Sequence, residues 1–97
     1  PDKNVELASI YWSYLLKQTN GNPVLTTAAY NAGINKVKHW LPDQSMSADA
    51  WIETIPYKET RNYVKAVVAY STVYQHLLSQ EANTFSQVSN ISISPSL

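Results

Sequence analysis

The chain has 97 residues, seven Lys and Arg balance seven Asp and Glu, and charged residues make up 14%, against the roughly 25% usual in soluble domains. Without a basic excess to neutralise phosphates, neither nucleic acid nor an anionic membrane is an expected partner, and without Cys there are no disulfides, thiolate nucleophiles or Cys-based zinc sites. No apolar run approaches the ~20 residues of a membrane span, and His39 and His76 lack ligand spacing, so no metal or other cofactor is expected.

The hydrophobic period is helical almost throughout. Val5, Ala8, Trp12 and Leu15, with Leu16 beside them, recur at steps of three and four and predict an amphipathic helix from Asn4 to Gln18. Asp2 or Asn4 is its expected cap, and Asn20-Gly21 supplies residues that tolerate positive φ at its end. Asn22-Pro23 opens a second helix, since Asn caps well and Pro fits the first helical position. Its residues Val24–Ala32 are small and apolar, which predicts burial, and Gly33 closes it. Ile34, Val37, Trp40 and Leu41 predict a short third helix ended by Pro42. After a polar loop, Ser47 is placed to cap one or two helical turns through Trp51 and Ile52, and Pro56 interrupts the chain again. The longest helix runs from about Lys58 to Ser79, with Thr60, Val64, Val67, Ser71, Tyr74 and Leu78 as its central stripe; Glu59, Tyr63, Ala66 and Tyr70 follow one edge of it.

From Glu81 the composition turns Ser- and Asn-rich. Residues 81–97 are read as a flexible tail, with a short edge strand around Ile91 and Ile93 as the alternative. The fold class is therefore all-α, four or five helices over residues 1–80. A chain of this size buries only about 60–65% of its unfolded surface, so a core built from these helices alone is small. Eleven aromatic residues (seven Tyr, three Trp, one Phe) are many for such a core; missing partners in the same fold account for the surplus.

Two strings carry candidate chemistry. In Ala29-Tyr30-Asn31-Ala32-Gly33 a Tyr and an Asn occupy the last turn of a helix. A helix end places side chains at the rim of a cleft; a phenol and an amide there suit a sugar, with its hydroxyls, acetamido groups and apolar ring face. The bland alternative, slightly favoured by these residues alone, is a core Tyr and a capping Asn. In Ile55-Pro56-Tyr57-Lys58-Glu59-Thr60-Arg61-Asn62-Tyr63-Val64, Glu59 falls in the first turn of the long helix. There a carboxylate either complements the exposed N–H groups, worth about 0.3–1 kcal/mol, or accepts hydrogen bonds from a ligand. Arg61, the only Arg, either clamps a carboxylate or forms a solvated ion pair. Glu53 beside Trp51 and Ile52 is a candidate general acid in a two-carboxylate arrangement with Glu59; its commoner role is structural, bound to a backbone N–H or a Lys. Trp12, Trp40 and Trp51 are expected in the core, with room for one of them in a groove.

Together these strings resemble the catalytic domain of the soluble lytic murein transglycosylases, a goose-type lysozyme-like fold. The resemblance opens on Pro1, Asn4, Val5, Leu7 and Tyr11 and passes through Ala28-Ala29-Tyr30-Asn31-Ala32-Gly33, Val37 and Trp40-Leu41. It closes on Glu53, Ile55-Pro56, Glu59-Thr60-Arg61, Tyr63-Val64-Lys65 and Tyr70, with the spacing kept to about Tyr74. It implies cleavage of the β-1,4 bond between N-acetylmuramic acid and N-acetylglucosamine in peptidoglycan glycan strands. The muramyl 6-hydroxyl attacks the anomeric carbon and leaves a 1,6-anhydro end. It also implies a periplasmic or cell-envelope location; the chain opens on Pro1, as a processed product or fragment does, so the lack of a visible signal peptide says nothing about the compartment.

The family's acid/base Glu lies in a Glu-Ser motif followed by Gly-Leu-Met-Gln, and neither is present here. The resemblance thus makes this the C-terminal part of such a domain, with the Glu upstream of Pro1 and the upstream half of the same domain as its partner. The 97-residue chain alone is then expected to be inactive. By the same resemblance Tyr30 supports the catalytic Glu and the reacting sugar, Ala29 and Asn31 line the same wall, and Glu59 faces substrate from the opposite helix start. Gly33, Glu53, Arg61 and Tyr63 are support residues. A phenol is a poor base at neutral pH, so the role expected of Tyr30 is orientation. Ala8 stands where the family commonly has Gly, which widens one helix contact. Ile34-Asn35 replaces the family's frequent Pro-Gly, with Asn tolerating the left-handed backbone of a turn. The competing readings are a non-catalytic glycan-binding or scaffold module of the same fold and, more distantly, a helical interaction domain without a sugar site.

Overall fold

A computed structural model of the chain describes residues 3–78, with side chains through residue 72, and residues 90–97. Five helices make up most of it: α1 (Lys3–Gln18), α2 (Pro23–Ala32), α3 (Ile34–His39), α4 (Ala48–Thr54) and α5 (Lys58–Leu78). Two short strands, β1 (Met46–Ser47) and β2 (Ser92–Ile93), pair antiparallel with Met46 opposite Ile93 and Ser47 opposite Ser92.

Local chemistry sets the helix ends. After α1 the chain turns through Asn20 at φ 56° and Gly21 at φ 79°, and the Gly21 N–H returns to the Leu16 carbonyl at 2.7 Å. Asn22 then caps α2, its Oδ1 accepting from the N–H groups of Val24 and Leu25 at 3.0 and 3.1 Å, with Pro23 as the first helical residue. The buried Thr19 and Thr26 hydroxyls meet at 2.7 Å and lock the α1–α2 corner. Ser47 caps α4 through the Ala50 N–H at 3.3 Å. Asn4 lies inside α1 rather than before it, and Asp2 is outside the described residues.

The core gathers around α2. Every residue from Val24 to Ala29 is buried, and Leu15, Val37, Ala48, Trp51, Ile52, Ile55, Val64 and Ile93 close over them. Trp51 is fully buried and donates its indole N–H to the Trp40 carbonyl at 2.8 Å, so the large ring enters the core without leaving its polar atom unpaired. The α5 stripe behaves as its period requires: Thr60 and Val64 are buried and Val67 packs against the core. The side chains of Tyr74 and Leu78, also placed on that stripe, lie outside the described residues.

Two elements differ from expectation. The end of the tail is not loose. The Ala48 N–H donates to the Ile91 carbonyl at 2.8 Å, Asn22 Nδ2 donates to the Ser92 carbonyl at 3.1 Å, and Ile93 is fully buried. Asn22 thus caps a helix with one end of its amide and holds a strand with the other. Residues 81–89 of the tail lie outside the described residues. The second difference is α1, which buries only Leu15 fully; Ala8, Trp12 and Leu16 are half-buried and Val5 stays 60% exposed. Leu7, Ile10, Tyr11 and Tyr14 are exposed as well, so this helix presents a broad apolar face to solvent.

Candidate functional site

The site residues are delivered by two helix ends. Tyr30 and Asn31 stand on the last turn of α2, and Glu59 stands in the first turn of α5; all three are exposed. The hydroxyl of Thr60, itself 1% exposed, donates to Asn31 Oδ1 at 2.7 Å and joins the two ends. Tyr30 is therefore neither a core residue nor loose. Its ring centroid lies 5.5 Å from that of Tyr11 and 5.9 Å from that of Trp12, both planes inclined by about 50°, at separations typical of interacting aromatic pairs. Tyr11 in turn stacks on Tyr14 at 6.4 Å. Beside this cluster runs an open groove of about 450 Å³, lined by Val5, Ala8, Trp12, Tyr30 and Tyr63 with Ser9 and Ser13. Trp12 is the Trp that the groove takes; Trp40 and Trp51 belong to the packing around the α3–α4 connection. Ala8, where a Gly was expected by family pattern, sits half-buried in the groove wall.

Ala29 corrects the expectation from the motif. It is fully buried in the core and its side chain lines no exposed wall, because one residue along a helix turns about 100° and Tyr30 already takes the outward direction. The Ala29 carbonyl accepts the Gly33 N–H at 2.7 Å and closes α2. Gly33 carries φ 97° and ψ 147°, a conformation confined almost entirely to glycine, and serves both as the end of α2 and as the residue before α3. The turn needs no left-handed Asn: Asn35 continues into α3, whose Ile34 packs against the core.

The remaining charged candidates have partners of their own within the fold. Glu53 Oε2 lies 2.7 Å from Lys65 Nζ, and both side chains are about half exposed, so the pair ties α4 to α5 at the surface. Lys65 sits six residues beyond Glu59, about 120° around the helix, which turns Glu53 away from the Glu59 face. Glu53 is thus an exposed carboxylate paired with a Lys. Arg61 donates Nη1 to the Ile55 carbonyl at 2.8 Å and stabilises the turn between α4 and α5. Tyr63 is half-buried and lines the groove with Tyr30. His39 is exposed, with Nδ1 2.9 Å from the Asn35 carbonyl, and the His76 side chain lies outside the described residues. Among the described residues no cluster of three His, Asp or Glu is placed to hold a metal ion, and no helix is long and apolar enough to cross a membrane.

The class of domain that this helical scaffold belongs to comes from comparison with known proteins. The Transglycosylase SLT domain model matches residues 1–53, and the Soluble lytic transglycosylase helical domain model matches residues 54–83. The chain belongs to the transglycosylase SLT domain family. It is 39% identical over 83 residues to the soluble lytic murein transglycosylase of Salmonella typhimurium, covering 84% of this chain and 13% of that protein. With its counterpart from Escherichia coli K12 it shares 35% identity over 88 residues, 89% of this chain and 14% of the relative. An inactive Glu-to-Gln mutant of the lytic transglycosylase Slt from Pseudomonas aeruginosa superposes with a TM-score of 0.75 at 48% identity, over 81% of this chain and 13% of that one. The chain thus spans about one seventh of the length of these relatives. The two family matches meet between Glu53 and Thr54, the last two residues of α4, yet α4 and α5 share one core with α2.

Proposed function

We propose that the chain is the C-terminal half of a lytic transglycosylase catalytic domain and supplies one wall of its glycan cleft. The reaction cleaves the β-1,4 bond between N-acetylmuramic acid and N-acetylglucosamine of peptidoglycan, in the periplasm or cell envelope. A Glu from the preceding half protonates the leaving oxygen. The same Glu then takes the proton of the muramyl 6-hydroxyl as that oxygen closes on the anomeric carbon. The Tyr30 hydroxyl orients the Glu and the reacting sugar, and Glu59 accepts hydrogen bonds from sugar hydroxyls on the facing helix. The observation that carries the reading is the joint exposure of Tyr30, Asn31 and Glu59 on two helix ends that a hydrogen bond from the buried Thr60 holds together.

The preceding half of the domain is also the proposed cover for α1. Val5, Leu7 and Ile10 are each exposed by more than half, a surface that a small domain with so few charges does not present to water without a partner. Support comes too from the small share of the relatives that this chain covers.

An NMR titration of the ¹⁵N-labelled chain with a chitooligosaccharide tests the wall directly. The expected result is that the amide signals of Tyr30, Asn31 and Glu59 move together and saturate at one affinity. A titration that leaves all three still contradicts the assignment and favours a helical domain with no sugar site.

A further inference from the structure

Thr60 heads the α5 stripe, ahead of the core-facing Val64 and Val67, and is itself buried, yet it carries a hydroxyl. A buried hydroxyl must place its hydrogen, and the acceptor here is Asn31 Oδ1, 29 positions earlier in the chain. That bond fixes more than the distance between two helices. An amide has one acceptor end and one donor end. With Oδ1 held by Thr60, the Nδ2 end of the exposed Asn31 is left for a partner outside the core. The residues preceding the bonded pair are Tyr30 and Glu59, so the same bond sets the spacing between the two side chains proposed to face substrate.

We propose that Thr60 is a positioning residue: its hydroxyl turns Asn31 so that Nδ2 donates to a neutral acceptor on the glycan, an acetamido carbonyl or a hydroxyl oxygen, and holds Tyr30 and Glu59 at one separation. This rests on the glycan-cleft reading above. It adds a role for a side chain that never touches the sugar and a direction for one that does.

The test uses the full-length protein carrying this sequence, with kcat and KM measured on purified peptidoglycan for Thr60→Val, Thr60→Ser, Asn31→Ala and the Thr60→Val/Asn31→Ala double variant. Thr60→Val keeps the shape and removes the donor. It is expected to lower kcat/KM about tenfold at temperatures well below its Tm, with Thr60→Ser within about twofold of wild type. Asn31→Ala is expected to lose about as much, and the double variant no more than Asn31→Ala alone, because the two residues act as one unit. A Thr60→Val protein that melts earlier but keeps its kcat and KM reduces Thr60 to a packing role and overturns the proposal. So does additivity in the double variant. If Thr60→Val does not fold, Asn31→Ala decides: wild-type kinetics overturn the proposal, and a tenfold loss with Thr60→Ser active supports it. A wild-type protein that cleaves no peptidoglycan overturns the cleft reading and this inference with it, whereas an active wild type with an indifferent Thr60→Val overturns the inference alone.

Discussion

Tyr30→Phe, made in the full-length protein, is expected to lower turnover on peptidoglycan by about 10- to 100-fold while leaving stability within about 0.5 kcal/mol. The two effects separate because the ring and the hydroxyl have different surroundings. The ring packs against Tyr11 and Trp12, and Phe keeps both contacts. Tyr30 is 36% exposed as a residue, so loss of the hydroxyl leaves no buried atom without a partner. Whatever the substitution removes is therefore what the hydroxyl does for the reaction. Glu59→Gln is the companion change at the other helix end. It keeps the shape and loses the charge, and is expected to lower turnover about tenfold, since hydrogen bonds to a charged acceptor are the stronger ones. Steady-state rates and denaturant midpoints of the same preparations check both. Wild-type turnover in both variants removes Tyr30 and Glu59 from the site.

The largest effect on stability is expected at Trp51. Trp51→Ala deletes a fully buried indole from the core cluster, for which about 3–5 kcal/mol is the usual loss. It also removes the N–H that satisfies the Trp40 carbonyl, and Trp40 in turn supports Tyr57, their rings meeting edge-on at 5.0 Å. Domains of this size hold only about 5–15 kcal/mol in all, so the variant is expected to unfold at low urea or on modest heating. Trp51→Phe keeps most of the volume and isolates the hydrogen bond; an intermediate loss is expected. Urea titration followed by circular dichroism measures both. A Trp51→Ala midpoint equal to wild type contradicts the packing described for the α3–α4 region.

How much of this the sequence discloses depends on the range of the interaction. Asn22-Pro23 and the left-handed Asn20-Gly21 turn act within four residues, and each is where local chemistry puts it. So is the glycine end of α2 at Gly33. The period of α1 identifies an apolar stripe but carries no information on whether anything covers it, and Val5 at the head of that stripe is exposed. Strand β2 is hidden for a different reason. Two residues of strand have no period to read, and the partner of Ile93 is Met46, far earlier in the chain. Ala29 shows that adjacency in a motif is not adjacency in space: Ala28 and Ala29 face the core, whereas Tyr30 and Asn31, next along the helix, are exposed. The Thr60–Asn31 bond had a signal in the sequence. A Thr set on the same stripe as Val64 and Val67 needs an acceptor, and an Asn at the end of a buried helix is well suited to provide one.

The measurement that bears most directly on the central claim is product analysis by mass spectrometry. Purified peptidoglycan is incubated with the full-length protein that carries this sequence and, separately, with the 97-residue chain. Muropeptides with 1,6-anhydromuramyl ends, one water lighter than hydrolysis products, are expected from the full-length protein and no cleavage by the chain alone. Reducing ends from the full-length protein contradict the transglycosylase reading, and a glycan that is bound but never cut makes this wall part of a binding module. Anhydro ends from the 97-residue chain contradict the placement of the acid, and would assign it to Glu53 or Glu59.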